Sequence, residues 1–316
     1  MKIARDLTEI EHDDDTVITV GTFDGVHRGH QAIISEVVSR ARSMDGRSVV
    51  VTFDPHPKEV ISRAPVSLLM TIEERLEALG KLRIDTALVL HFTPEFSRLS
   101  PRDFYIRYLI EGIGAKEVVE GHDHTFGKDR EAGVATLVEL GREFGVDTTA
   151  VHPVLIGGER VGSSAIRRAL AEGNIGKANS FLGRPYEVGG SVVKGDARGA
   201  GLGFPTANVR PQSAQKVIPK GGVYAVRVEW KGKMLDGMLN IGVRPTVTDG
   251  STTTIEAHLF DFRETIYGDP LRVLFAERVR DEQKFSSKEE LITQLGSDEE
   301  RCRAILASMP ALMNHS

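Results

Sequence analysis

Two kinds of hydrophobic pattern divide the chain. Through the first half, short β-type runs, the second of them apolar nearly throughout, alternate with stretches where apolar residues recur every three or four. The runs are Val17-Ile18-Thr19-Val20, Ser48 to Phe53, Thr86 to Phe92, Lys116 to Glu120 and Thr148 to Val154. Uninterrupted apolar character suits parallel strands covered on both faces. Helical spacing follows from Gln31, again over Thr71 to Leu82 with Ile72, Leu76 and Leu79 on one face, and near Ala132 to Phe144. A further helix opens at Ser100-Pro101, a capping hydroxyl followed by a proline at the first helical position. Strand alternating with helix five times predicts a parallel sheet with helices on both faces. Ligands of such sheets sit beyond the carboxyl ends of the strands, where the turns at 21–30, 54–57 and 121–127 would gather.

After Leu182 the pattern changes to short alternating runs broken by Gly and Pro. A boundary near Gly183 to Tyr186 therefore predicts two domains, 1–182 and 183–316. Tyr224, Val226, Val228 and Trp230 alternate with Ala225, Arg227 and Glu229, a half-buried strand. Met234 to Ile241, Thr253 to Phe260 and Leu271 to Val279 read as further strands, and their regular spacing predicts a small antiparallel β-barrel. A charged helix from Ser287 to about Met309 follows, its stripe of Leu291, Ile292, Leu295, Ile305 and Leu306 expected to pack on the barrel.

Composition narrows the chemistry. The chain has 316 residues, enough for two ordinary cores. With 40% hydrophobic and 27% charged residues it reads as globular. A formal net charge of -5 argues against a nucleic-acid partner held by overall charge, so any phosphate must be held by local groups. Cys302 is the only cysteine, which excludes an intrachain disulfide and a cysteine-rich zinc site. The opening MKIARDLTEIEHDDD lacks an apolar leader core, and no run reaches membrane-spanning length. The expectation is a cytoplasmic protein with small-molecule substrates and no membrane partner.

The turn Gly21 to His30, GTFDGVHRGH, joins a strand to a helix. Gly21 and Gly25 permit turns that a Cβ would hinder, and Gly29 lets a ligand approach the first helical turn, where free N–H groups favour an anion. His27 and His30 are three residues apart, so one face carries both imidazoles, a pair suited to the charge on a departing pyrophosphate. Surface histidines and a two-histidine zinc site are the competing readings of that spacing. Ser163 and Ser164 at a helix start, with Arg167 one turn on, make a second anion site or an ordinary capped helix. Gly195 to Asn208, GDARGAGLGFPTAN, has four glycines, among them Gly195 and Gly203, beside Lys194 and Arg198: a locally basic flap for phosphates or a plain connector.

These motifs carry a resemblance. The box FDGVHRGH is similar to that of the FAD-synthetase branch of the nucleotidyltransferases, and Val161 to Arg167 resembles the box that closes over ATP phosphates there. Gly121 to Gly127 resembles the family's Gly-x-Asp-Phe-x-Phe-Gly, with His124 in place of an aromatic; Gly162 and Ser164 stand where Ser and Thr are usual. Phe204-Pro205-Thr206-Ala207-Asn208 resembles the riboflavin-kinase PTAN motif, and the likeness continues through Gly222-Val223-Tyr224, Asn240 to Thr246, Ile255 to His258, Tyr267-Gly268 and Lys284-Phe285. From Val17 to Phe285 the chain resembles the prokaryotic-type bifunctional riboflavin kinases/FMN adenylyltransferases, the FAD synthetases.

That resemblance implies an α/β nucleotidyltransferase-type domain followed by a β-barrel kinase with a C-terminal helix. It implies ATP and Mg²⁺, with riboflavin, FMN and FAD as substrates or products. Gly21, Phe23, Gly25, His27, Gly29, His30, Asp123, Ser163, Ser164 and Arg167 would hold the adenylylating ATP, and Asp54, His56 and Phe126 the flavin. Lys194, Gly195, Gly203, Thr206 and Asn208 would hold the kinase ATP, Thr206 and Asn208 also the Mg²⁺, with Glu256 as general base. Three other readings stay open: a nucleotidyltransferase of other specificity fused to an unrelated barrel, a metallohydrolase using His27, His30, Asp54, His56, Asp123 and His124, and a flavin-binding protein without turnover.

Overall fold

Each central strand of the first half feeds two cores at once. Val49, Val51 and Phe53 enter one buried cluster with Leu88, Leu90, Phe104 and Tyr105, while Val50 between them enters another with Ala87, Val89, Ile34 and Leu79. That is why the run shows no alternation in sequence: both faces are covered. The computed structural model describes residues 1–122, 125–126, 132–194, 203–245 and 251–309. They form two compact units, Met1–Ser163 and Ser164–Ser316.

The first unit contains strands β1 (Lys2–Ala4), β2 (Thr16–Val20), β3 (Arg47–Asp54), β4 (Thr86–His91), β5 (Ala115–Gly121) and β6 (Asp147–Val151). They form one sheet in the order β1-β4-β3-β2-β5-β6, parallel at every pairing. Helices α1 (Arg28–Ser43), α2 (Ile72–Gly80) and α3 (Val134–Phe144) join them. Thr71 opens α2 with a capping box, its side chain accepting from Glu74 N while Glu74 accepts from Thr71 N. The helix opened by Ser100 and Pro101 is α-helical only to Phe104; Tyr105–Ile113 winds as a π-helix that stops at Gly114, φ +88°. A Cβ there would stand 2.4 Å from the Asp13 carbonyl oxygen, so only glycine fits. The last predicted strand ends at Val151, and Leu155–Ile156 instead pairs with Glu159–Arg160 in a separate ribbon.

The second unit begins with helices α4 (Ser163–Glu172) and α5 (Ile175–Leu182). Strands β7 (Tyr186–Val193), β8 (Ala207–Pro211), β9 (Gly222–Trp230), β10 (Lys233–Pro245), β11 (Ser251–Leu259) and β12 (Pro270–Arg280) follow. They close a barrel in the order β7-β8-β11-β10-β9-β12, antiparallel throughout. Helix α5 is tied to it: Asn179 donates to Phe275 O at 2.9 Å and accepts from Tyr186 N at 2.7 Å. By packing, α4 and α5 thus go with the barrel.

Helix α6 (Lys288–Ser308) covers the barrel as expected: of the predicted stripe Leu306 is buried and Leu295 and Ile305 pack partly buried against the barrel, while Asp298 and Cys302 extend the buried face. Asp298, Cys302 and Leu306 are buried against Val223, Ala225, Met238 and Val279, whereas Ile292 is exposed. The stripe is centred on an ion pair: Arg280 Nη2 meets Asp298 Oδ2 at 2.6 Å and Arg280 Nε meets Oδ1 at 2.9 Å. Apolar periodicity cannot announce a carboxylate such as Asp298 as part of the buried face.

Candidate functional site

The sheet order creates a crevice. From β2 the chain runs to β3 and β4 on one side, then returns to the other side of β2 with β5. Beyond the carboxyl ends at such a reversal, the loops part and leave room for a ligand. The β2/β5 ladder pairs Ile18 with Val118, and beyond it the Glu120 side chain fills the gap, Oε1 accepting from Val20 N at 2.7 Å. Glu120 is buried, and burial pushes its carboxyl well above the usual carboxylate range, opposed by the bond from Val20.

The turn after β2 stands at that crevice. Phe23 (φ +47°), Gly25 (φ +91°) and Val26 (φ +37°) all take left-handed conformations, which wind the chain sharply into α1. Asp24, 1% exposed, anchors the turn from below: its carboxylate accepts from Leu69 N and Met70 N, each at 3.0 Å. Its carbonyl accepts from Ser163 Oγ at 2.8 Å. His27 is the N-cap of α1, Nδ1 accepting from His30 N at 3.3 Å. The His27 and His30 rings stack with centroids 3.6 Å apart, and Phe23 meets His30 edge-on at 5.1 Å. A Cβ at Gly29 would press on the His27 ring at 3.1 Å, and one at Gly21 on the Phe23 ring at 3.1 Å, so both rings lie close over glycine backbone. The two imidazoles thus form one packed pair at a helix N-terminus, where the helix dipole favours an anion.

The neighbouring turn after β3 runs through Asp54 to His56, which caps the short helix Pro57–Ser62, Nδ1 accepting from Lys58 N at 3.1 Å. His56 is buried and Asp54 half-buried. After β5, Asp123, His124 and Gly127 lie outside the described residues; Phe126 forms a two-residue ribbon with Ala132–Gly133 through its backbone. Ser164 and Arg167 lie in the first turns of α4 in the second unit, and Gly162 faces open space. Among the described residues no three His, Cys, Asp or Glu side chains are grouped as metal ligands.

In the second unit, register decides what meets. Asn208 on β8 pairs with Glu256 on β11, and Glu256 pairs with Asn240 on β10. Directly opposed residues share a face, so these three polar side chains form a row across three strands. Ala207 and Ala257 pair on the opposite face, and there a cavity of about 220 Å³ opens, lined by Val192, Thr206, Ala207, Ala257, Phe262 and Tyr267. His258 Nδ1 lies 2.8 Å from Pro205 O and its ring meets Phe204 edge-on at 5.3 Å, pinning the turn that presents Thr206. Lys194 is exposed at the end of β7 and Gly203 has φ +86° in open space; Gly195 lies outside the described residues. Sequence reasoning quoted Asp24, Asn240 and His258 within motifs but gave them no part.

Comparison with known proteins also finds two parts. The FAD synthetase family model matches residues 9–165 and the riboflavin kinase model residues 182–306. A Listeria monocytogenes bifunctional riboflavin kinase/FMN adenylyltransferase is 39% identical, covering 93% of each chain. The chain belongs to the bifunctional riboflavin kinase/FMN adenylyltransferase family. The Escherichia coli K12 member is 37% identical over 95% of this chain and 96% of its own. A crystal structure from Streptococcus pneumoniae, described as a macrolide-efflux protein, superposes with a TM-score of 0.87 at 32% identity, over 95% of this chain and 98% of its own. Its description names efflux, but the family is decided by the two domain models and the curated relatives. Among the described residues no helix is long and apolar enough to cross a membrane.

Proposed function

We propose that residues 183–316 phosphorylate riboflavin to FMN with ATP, and that residues 1–182 adenylylate FMN with a second ATP. The observation that carries the kinase reading is the row Asn208, Glu256 and Asn240 across three strands, with Thr206 two residues before Asn208. The cavity takes the adenine, because Val192 on its wall leads two residues later into Lys194 and the flap. Thr206, Asn208 and Glu256 offer only oxygen or amide donors, a set suited to Mg²⁺, which Thr206 and Asn208 would hold. The ion supplies charge neutralisation on the phosphates when bound. Glu256 takes the proton from the ribityl 5′-hydroxyl as its oxygen bonds to the γ-phosphorus, and the bond to the departing ADP oxygen breaks.

In the first half, an FMN phosphate oxygen bonds to the α-phosphorus of ATP while the α–β bridging bond breaks and pyrophosphate leaves. A phosphate dianion is a competent nucleophile, so the protein supplies positions and donors rather than a base. His27 and His30 donate to the triphosphate at the α1 N-terminus, with Gly21, Phe23, Gly25 and Gly29 shaping the turn, and Ser163 closing on Asp24 beside it. Ser164 and Arg167 as further phosphate donors, Asp123 at the nucleoside and Phe126 at the flavin rest on the sequence alone. Asp54 faces the flavin end; His56 acts there by holding the 54–57 turn. Protein incubated with riboflavin, ATP and Mg²⁺ should yield FMN and then FAD on a flavin chromatogram; riboflavin that persists alone overturns the reading.

A further inference from the structure

The largest fully buried side chain among the described residues is a charged one. Arg75, on α2, is 1% exposed, and its guanidinium reaches the carboxyl end of β3. Nη1 donates to Phe53 O at 2.9 Å and to Thr52 Oγ1 at 3.0 Å. Thr52 Oγ1 donates onward to Thr22 O at 3.3 Å, inside the turn that leads to His27. Burial lowers the guanidinium from its ordinary value, and the carboxylates of Asp24, Asp54 and Glu73 offset that in part. Asp24 lies in the turn after β2 and Asp54 at the start of the neighbouring turn after β3.

Packing does not account for an arginine here. Helix α2 is already closed by its capping box and buries Leu76 and Leu79, and the Arg75 Nε makes no hydrogen bond among the described residues. A buried charge with an unused donor is destabilising where an apolar side chain of similar volume is not. What a leucine or methionine lacks is a hold on backbone: through Thr52, one guanidinium ties Thr22 in the first turn to Phe53 at the root of the second. Both turns are loops on separate strands, and nothing in a β-ladder fixes loops beyond its last pair.

We propose that Arg75 is a positioning residue for adenylyl transfer, setting the 21–30 turn against the 54–57 turn so that the two bound substrates meet in line. The proposal rests on reading the first half as the adenylyltransferase. Arg75 touches neither substrate; it acts through Thr52 and Phe53. Each substrate binds mainly to its own turn, so loss of register lowers kcat more than it raises either KM. A displacement of about 1 Å from a change remote from the chemistry costs ~10²-fold.

The test uses the full chain with FMN, ATP and Mg²⁺, and compares Arg75→Met, Arg75→Lys and Thr52→Val. Arg75→Met should lower kcat for FAD formation by ~10²-fold with the KM values for FMN and ATP little changed. Arg75→Lys, which keeps a charge and a donor, should recover part of the rate, and Thr52→Val should reproduce part of the loss. Riboflavin phosphorylation by the same chains should stay at the parental rate. Parental kcat in Arg75→Met with only a lowered Tm would make the residue a packing element and overturn the proposal. Should Arg75→Met not fold, Thr52→Val decides: parental kcat there overturns it equally. A parent chain that makes no FAD from FMN would overturn the adenylyltransferase reading, and the proposal with it.

Discussion

At the scale of single residues, His27 carries two duties that pull a mutational test apart. It caps α1 and it faces the proposed phosphate site, so alanine would remove a cap worth about 1 kcal/mol along with the imidazole. His27→Asn keeps a capping side chain and removes the ring. We expect FAD formation from FMN to fall by ~10²–10³, the usual cost of one pre-aimed donor, with riboflavin phosphorylation intact. Glu256→Gln should give the mirror image: riboflavin accumulates, FMN production drops by ~10²-fold or more, and added FMN still becomes FAD. One flavin chromatogram per variant checks both; equal losses of both activities in either would contradict the division of labour. Glu120 makes a different prediction. Its folded carboxyl keeps its proton at pH values where an unfolded chain has released it, so the folded state binds more protons. Stability is then full below the ordinary carboxylate range and falls as pH rises through it. Glu120→Gln should flatten the fall of Tm as pH rises above the ordinary carboxylate range, and parallel curves for parent and variant would show the carboxyl ionised when folded. The imidazole box was legible because its residues are neighbours in sequence. Asp24's anchor on Leu69 and Met70, and the Asn208–Glu256–Asn240 row, were not, because each depends on register between distant segments.

At the scale of elements, the long buried strands announced themselves and the short or interrupted ones did not. β1 has three residues, two of them exposed, which is too little for any period. β7 alternates cleanly in the fold, yet Gly189-Gly190 interrupts its pattern in sequence; Gly190 is required because a Cβ there would stand 2.5 Å from Arg210 O. The predicted stripe on α6 found Leu295, Ile305 and Leu306 but left out Asp298 and Cys302, buried between them. Breaking the Arg280–Asp298 pair should show its weight. Asp298→Asn is expected to destabilise the second unit by about 3 kcal/mol, the lower range for a buried pair, since Arg280 keeps some solvent. Arg280→Met with Asp298→Leu should restore much of the loss, because no charge is then left stranded. Thermal inactivation of riboflavin phosphorylation reads this directly; a single variant as stable as the parent would show the pair to be incidental.

For the whole molecule, the two compact units and the two matched families divide the chain at different places. Helix α5 buries Ile175, Ala178, Phe181 and Leu182 and lies within the barrel's unit, although the kinase family model begins at residue 182. A fragment 164–316 should therefore fold cooperatively and phosphorylate riboflavin. A fragment 183–316 should be less stable by about 3 kcal/mol or more, having lost Phe181, Leu182 and the Asn179 bonds. Circular-dichroism melts of the two fragments compare them, and equal midpoints would assign α5 to the first half instead. The barrel's closure has one more consequence, for the order in which the protein comes into being. Its seam joins β7 to β12, with Tyr186 opposite Phe275 and Val188 opposite Val273. On a ribosome no seam forms until nearly the last strand has emerged, whereas the parallel sheet is complete once β6 is out. The half that consumes FMN is folded while the half that makes FMN is still an open ribbon, so for an interval in every molecule's synthesis the second enzyme of the sequence exists before the first.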